Sequence, residues 1–322
     1  FAEISGSAVA DVAALGSIMI PEMKKRGYGA PFAAAVTSSS ASLAIIIPPS
    51  IPMILYAVSA NTSVEQLFVA GFIPGLMGAI GLMGVSWWFA RRYNLPVEEA
   101  FNWPRLRHAA IEAGPTFLLP IIILGGIFGG FVTATEAAGL AVLAAIGVGI
   151  WYREVDFRQL HRAMLEGGMQ TAVVMVLVAA SVLMGGFLTR AQIPQELAAQ
   201  MVAFTDSKYV ILLILNVFFL IIGFFLHSAA AIILVVPIVV PLIQQVGIDP
   251  VHFGLVVTLN LAIGQQTPPV ASVLITACSI ARANIWEVTR VNLPFIAVLV
   301  GVLLICTYVP AIPMFLVELF YR

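Results

Sequence analysis

Long apolar stretches follow one another along this chain, near residues 32–58, 66–90, 114–131, 134–152, 168–189, 251–279 and 291–319. Two more, 208–226 and 228–246, adjoin at Leu226-His227-Ser228, and a shorter one, 4–20, is rich in Ala, Ser and Gly. A transmembrane helix needs about 20 mostly apolar residues. No run alternates at period two, so a closed barrel is not expected and helices must satisfy the backbone in lipid. The expected fold class is an all-α polytopic membrane protein. Composition supports this by exclusion. With 61% hydrophobic and 10% charged residues, against about 25% charged in soluble domains, the chain cannot cover a water-soluble globule. Its 15 Lys+Arg against 16 Asp+Glu leave no basic field for nucleic acid. Cys278 and Cys306 lack CxxC or Cys/His spacing and read as buried thiols.

Basic residues orient the chain. Lys24, Lys25 and Arg26 lie in a segment expected as a loop, 21–31; Arg91, Arg92, Arg105 and Arg107 in 90–108; Arg153, Arg158 and Arg162 in 153–166. Two crossings separate each group from the next, so all three share one side, the cytoplasm by the positive-inside rule. Taking 208–246 as a hairpin that enters and leaves places 244–247, without Lys or Arg, outside and Arg282 and Arg290 inside. All five tryptophans then fall near the inner face, as an interfacial belt requires. Residues 95–112 and 154–166 read as amphipathic helices in the interface.

Proline and glycine recur at a fixed offset of 220: Pro21 with Pro241, Gly27 with Gly247, Pro48-Pro49 with Pro268-Pro269, and Pro74 with Pro294. Several matches in one register imply duplicated halves. The 21–31 loop is cytoplasmic and its mate at 241–251 external, so the halves are expected to be inverted. Residues 4–20 become the exit arm of a first hairpin with its tip near Ser5-Gly6-Ser7. About a hundred residues of the first half are expected upstream of Phe1, where Phe1-Ala2-Glu3 offers no initiator Met or signal-peptide shape.

Pro-Pro inside an apolar run removes two donors and bends the preceding residue out of α geometry. The freed carbonyls persist in lipid only where protein, water or an ion satisfies them. Two such breaks occur, at 45–50 and 264–269, each beside a hairpin tip of small or hydroxyl residues. Half-helix N-termini suit carboxylates and unwound carbonyls suit Na⁺. Together they imply a midplane site for an anion plus hard cations. Two ions crossing 100 mV would supply about 4.6 kcal/mol.

The segments GSAVADVAALGSIMIPEMKKRGY (6–28), IIIPPSIPMILYA (45–57) and GIDPVHFGLVVTLNLAIGQQTPPVASVL (247–274) closely resemble the large membrane subunit of tripartite ATP-independent periplasmic (TRAP) transporters. The resemblance runs through essentially the whole chain. It implies an inverted-repeat elevator-type transporter of a bacterial inner membrane, with two re-entrant hairpins and two broken helices. It implies as partners a small membrane subunit, separate or fused, and a periplasmic substrate-binding protein. It implies import of an organic acid, of C4-dicarboxylate or sialic acid type, with Na⁺. One implied Na⁺ site maps to Gly223, Gly264, Thr267 and Val270, the other to Ser5, Gly6, Ser7 and Ser50. The chain departs from many members in carrying His227 rather than an acidic residue at the second tip.

Candidate substrate contacts are Asp11, alone in a small-residue arm, Ser38 and Ser39, which either line a path or permit close helix packing, and His227 with Ser228 at the second tip. His227 reads more simply as a partner for a broken-helix carbonyl. Arg190 reads as a snorkelling cation and Glu136 as part of a helix N-cap. The elements group as 1–60 and 208–280, hairpin and broken-helix transport elements, and as 61–207 and 281–322, scaffold and arms. A standalone Na⁺/dicarboxylate symporter without a binding protein is the alternative. An intramembrane enzyme would need paired aspartates, GxSxG or HExxH, and neither motif occurs. Asp11 is the only Asp before Asp156. A channel would show no saturable uptake driven by a Na⁺ gradient.

Overall fold

The computed structural model describes residues 5–96, 102–153, 155–193, 196, 200, 205 and 207–321, and no strand occurs among them. Among the described residues fourteen α-helices follow one another: α1 Ala8–Lys25, α2 Ala30–Ala41, α3 Ile51–Ala60, α4 Val64–Arg92, α5 Trp103–Glu112, α6 Leu118–Phe128, α7 Ala134–Trp151, α8 Phe157–Arg190, α9 Lys208–Phe225, α10 Ser228–Gln245, α11 Pro250–Gly264, α12 Ser272–Ala281, α13 Ile285–Tyr308 and α14 Ala311–Tyr321. Six of them (α4, α7, α8, α9, α10 and α13) are long and apolar enough to cross a membrane. The chain is a multi-pass, all-helical protein. Residues 1–96 with 177–322 form one compact unit and 97–176 a second.

Within the first unit the repeat is written in helix ends. Helix α1 and helix α10 each run 18 residues and start 220 apart, behind Ser7 and His227. Each is closed by a glycine at positive φ, Gly27 at 90° and Gly247 at 73°, the left-handed cap that glycine alone takes without cost. The capping bonds match one for one. Gly27 N–H donates to Lys24 O and Tyr28 N–H to Met23 O; 220 residues later Gly247 N–H donates to Gln244 O and Ile248 N–H to Ile243 O. After the Pro-Pro breaks the register becomes 221. Asn61 and Arg282 both cap in the left-handed region, and Thr62 N–H to Ala57 O repeats as Ala283 N–H to Cys278 O. Packing is reciprocal as well. Helix α1 lies along α12 while α10 lies along α3, and α2 packs on α13 while α11 packs on α4. Exchange of this kind is what a two-fold relation between halves produces. Lys24 Nζ fastens one such pair, donating to Ala281 O at the end of α12 (2.8 Å).

Several boundaries differ from expectation. Helix α1 continues through Pro21 to Lys25, so the loop expected from 21 starts at 26. The carbonyl that Pro21 leaves without a donor belongs to Ser17, on an exposed turn. The amphipathic piece expected at 154–166 is no separate interfacial helix, because from Phe157 it runs unbroken into the 168–189 span as the 34-residue α8. Glycine costs only about 1 kcal/mol in a helix, so Gly167-Gly168 does not break it. The last apolar stretch is two helices, since Pro310 cannot extend α13.

The second unit carries the remaining difference. The stretch 114–131 holds a 3₁₀ turn, Gly114–Phe117, and only the 11 residues of α6, and with α5 it forms a pair bent by 62°. Gly114-Pro115 and Gly129-Gly130 bound it. Helix α5 is amphipathic and wholly exposed, as an interfacial helix would be. Helix α7 begins with a capping box: Thr133 N–H donates to Glu136 Oε2 (2.8 Å) and Glu136 N–H to Thr133 Oγ1 (3.3 Å). Glu136 is therefore a capping residue. All five tryptophans are exposed, and Arg91 and Arg92 stack on Trp87 and Trp88 at 5.2 and 5.5 Å, an arrangement suited to a membrane interface.

Candidate functional site

The second break joins α11 to α12. Helix α11 is buried from Val251 to Gly264, and α9 lies against its end through two glycines. A Cβ placed on Gly264 would fall 2.6 Å from Gly223 Cα and C and 2.9 Å from its carbonyl oxygen. Backbones approach this closely only where neither residue has a side chain. One residue further along, Phe224 O accepts from Val270 N–H (3.2 Å), so the end of α9 is tied to the unwound segment. Between these contacts Thr267 donates from N–H to Gly264 O (3.0 Å) and from Oγ1 to Ile263 O (3.0 Å). Gly223, Gly264, Thr267 and Val270 are thus gathered in one place. Carbonyl oxygens keep a second lone pair when singly bonded.

The first break repeats the arrangement. Gly6, at φ +60°, stands before α1, and its carbonyl accepts from Ile51 N–H (3.3 Å). A Cβ on Gly6 would fall 2.8 Å from Pro49 O. Ser50 is fully buried and N-caps α3: its Oγ donates to Ile45 O (2.7 Å) and accepts from Met53 N–H (3.3 Å). Ser5 Oγ donates to the buried Asp11 carboxylate and accepts from Ser7 N–H (3.1 Å). Gly6 therefore meets the break beside Ser50, and Ser5 and Ser7 flank it in the chain, bonded to each other and, through Ser5, to Asp11. Each tip gives one carbonyl to one break N–H, at positions within two residues of the 220 offset.

The remaining predicted residues are placed differently. Ser38 and Ser39 are both fully buried in α2; Ser38 Oγ donates to Ala35 O (3.0 Å) and Ser39 turns into a polar cluster. Ser40, with Asp11, Thr37, Leu15 and Met19, lines an open cavity of about 560 Å³. His227 does not pair with a break carbonyl. Its Nδ1 accepts from Ala229 N–H (3.4 Å) at the start of its own helix, with Ser228 buried beside it. Arg190 is exposed at the end of α8.

Sequence reading missed two buried amide clusters. In one, Gln266 and Asn292 meet Ser39 and Ser42. In the other, Asn260 Nδ2 donates to Asn216 Oδ1 (2.7 Å) and Asn216 Nδ2 to Thr307 Oγ1 (3.1 Å), which binds α9, α11 and α13 together. The available signal was an amide inside an apolar run, where burial demands a partner. Among the described residues no group of three His, Cys, Asp or Glu is placed to hold a metal ion.

The family described as "Tripartite ATP-independent periplasmic transporter, DctM component" matches residues 1–312. The chain is 42% identical over 317 residues to an isethionate TRAP transporter permease protein, DctMQ, of Oleidesulfovibrio alaskensis, covering 98% of this chain and 50% of that protein. It is 37% identical over 313 residues to the C4-dicarboxylate TRAP transporter large permease protein DctM of Pseudomonas aeruginosa, 97% and 73% of the two chains. It is 36% identical over 321 residues to the sialic acid TRAP transporter large permease protein SiaM of Vibrio cholerae, 99% and 75%. The chain thus spans half the length of the first of these relatives and about three quarters of the other two.

Proposed function

The chain belongs to the tripartite ATP-independent periplasmic transporter DctM family, and on that premise we propose that it is the transport subunit of a Na⁺-coupled importer of an organic acid in a bacterial inner membrane. A periplasmic binding protein hands over the acid, and a small membrane subunit completes the assembly. The observation that carries the reading is the pair of tip-to-break contacts, Gly6 O with Ile51 N–H and Phe224 O with Val270 N–H.

Sodium enters as co-substrate. The donor sets fit a hard monovalent cation: backbone carbonyls with the Thr267 hydroxyl at one break, and carbonyls with the Ser5, Ser7 and Ser50 hydroxyls at the other. The tip glycines let oxygen-bearing backbone approach where a side chain would stand. Helices α1, α3, α10 and α12 begin at the breaks and tips, and their N-terminal partial charge favours the anion. In the mechanism we propose, cation loading holds each tip against its break and completes the anion site. The loaded elements of 1–60 and 208–280 then slide as a body against scaffold drawn from 61–207 and 281–322, with the halves inverted across the membrane. The re-entrant character of both hairpins belongs to this proposal; α9 and α10, 18 residues each, are about 27 Å long.

Uptake into proteoliposomes tests the function. The protein, with its small subunit, should accumulate an isethionate-, C4-dicarboxylate- or sialic-acid-type substrate only with the cognate binding protein and an inward Na⁺ gradient. Uptake without the binding protein would make it a standalone symporter, and no Na⁺-driven uptake from a full panel would overturn the reading. Thr267→Ala should raise the half-saturating Na⁺ concentration about tenfold, from the ~1.5 kcal/mol that a hydroxyl contributes to a charged partner. An unchanged Na⁺ titration in that variant would remove Thr267 from the site.

A further inference from the structure

Between the two breaks runs a hydrogen-bonded chain that the transport reading does not call for. Ser39 Oγ on α2 donates to Asn292 Oδ1 on α13 (2.5 Å). Asn292 Nδ2 donates to Gln266 Oε1 in the second break (2.9 Å). Gln266 Nε2 donates to Ser42 Oγ, at the start of the 3₁₀ turn that leads into the first break. Ser42 Oγ donates to Ser38 O (3.3 Å), returning the chain to α2. Donor and acceptor alternate in one direction from Ser39 to the Ser38 carbonyl, and Ser39 Oγ also has Gln266 Oε1 as a second acceptor at 3.2 Å. Ser39, Ser42, Gln266 and Asn292 are all 0% exposed.

The chain touches both candidate cation sites through backbone. Gln266 sits between Gly264 and Thr267, and its N–H bonds to Ile263 O (3.0 Å), the carbonyl that also accepts Thr267 Oγ1. From Ser42 the turn passes through Leu43 O, which accepts from both Ile46 and Ile47 N–H, to Ile45 O, which accepts Ser50 Oγ. Symmetry does not impose the chain. At the positions 220 residues away from Ser39, Ser42 and Gln266 stand Leu259, Ala262 and Ile46, and 221 residues before Asn292 stands Gly71, none of which has a side chain that can form it. In place of an Asn292–Gln266 bond, the first half presses Gly71 onto the Ile46 backbone, where a Cβ would lie 2.3 Å from Ile46 O. The polar loop is a departure from the repeat, and it occurs where the two halves must answer to each other.

We propose that Ser39, Asn292, Gln266 and Ser42 form a relay that couples occupancy of the two cation sites, so that an ion at either break raises the affinity of the other. This rests on the Na⁺-coupled reading above. A buried polar group left unpaired is costly, so a shift of the second break that orients the Gly264 and Thr267 oxygens must carry Ser42 and the first break with it. The four side chains are positioning residues, not ligands. Linkage of this sort makes the effect reciprocal and typically fivefold or more in affinity.

The test is Na⁺-dependent uptake and Na⁺-dependent thermal stabilisation of the full assembly, in the native chain, in Gln266→Met, which keeps length and volume, and in the milder Ser39→Ala. The native chain should titrate cooperatively. Gln266→Met should bring the Hill coefficient to about one and raise half-saturating Na⁺ at least fivefold, with maximal uptake at saturating Na⁺ largely kept. Ser39→Ala should shift the same parameters less and covers the case in which Gln266→Met does not fold. A native chain that is Na⁺-driven but non-cooperative overturns the relay, as does a folded variant that keeps the native Hill coefficient. A uniform loss of stability at every Na⁺ concentration, with the Hill coefficient intact, assigns the loop to structure alone and also overturns it. A native chain that shows no Na⁺ dependence fails the parent reading, which is a different result.

Discussion

Gly264→Ala is expected to reduce uptake at least tenfold even at saturating Na⁺, and Gly223→Ala to reduce it less. At Gly264 the added Cβ meets only backbone, 2.6 Å from two atoms of Gly223 and 2.9 Å from a third. No rotamer change relieves that, so α9 must move away from α11. Overpacking costs about 1–3 kcal/mol where neighbours can yield, and here the yielding element is the helix that carries the tip. The bond from Val270 N–H to Phe224 O, at 3.2 Å, lies one residue beyond the contact and would open. At Gly223 the added Cβ would meet Gly264 Cα at 3.1 Å and Leu261 Cα at 3.4 Å, tight but within reach of a few tenths of an ångström of adjustment. Melting temperature and expression level separate the two possible losses. A folded Gly264→Ala protein with native uptake would show that the tip and the break need not touch.

The rank order is informative because the contact was legible in the sequence only by half. The Pro48-Pro49 and Pro268-Pro269 breaks, the tips at Ser5-Gly6-Ser7 and Leu226-His227-Ser228 and the 220-residue offset could all be read directly, since proline and glycine have strong local consequences. That Gly223 and Gly264 face each other came from resemblance, because no local periodicity brings residues 41 apart into backbone contact. What failed to read was of two kinds. Weak local signals were overrun: Gly167-Gly168 stays helical within α8, where a helix keeps its backbone bonds satisfied at small cost. Pro310 stood inside an apolar stretch long enough to pass for one crossing, although it ends α13 and admits α14. Long-range polar pairing left no local trace. Ser39 and Asn292 are 253 residues apart, and each alone looks like an isolated polar residue in an apolar run. The same holds for Asn216, Asn260 and Thr307, whose mutual bonds join α9 and α11 to the last turn of α13.

The first tip allows a stricter comparison, because glycine is required there on two separate grounds that can be pulled apart. Gly6 has φ +60°, and its Cβ would also lie 2.8 Å from Pro49 O and 3.1 Å from Ile51 N. Gly247, at φ +73°, has open space around its Cβ position. Alanine at a left-handed position costs about 1–2 kcal/mol, and Gly247→Ala should show that cost alone: a lowered melting temperature, with uptake and half-saturating Na⁺ unchanged in the folded fraction. Gly6→Ala carries the same backbone cost and in addition drives the tip off the first break, where the Gly6 carbonyl holds Ile51 N–H at 3.3 Å. Its expected signature is a loss of uptake of at least tenfold beyond what the melting temperature explains, together with a higher half-saturating Na⁺. If the two alanine variants behave alike, the first tip is only a strained turn, and the cation site proposed from Ser5, Gly6, Ser7 and Ser50 has no closed state for an ion to stabilise. If they differ as expected, both halves obey one rule: the cation is held where hairpin backbone and broken-helix backbone meet without a side chain between them.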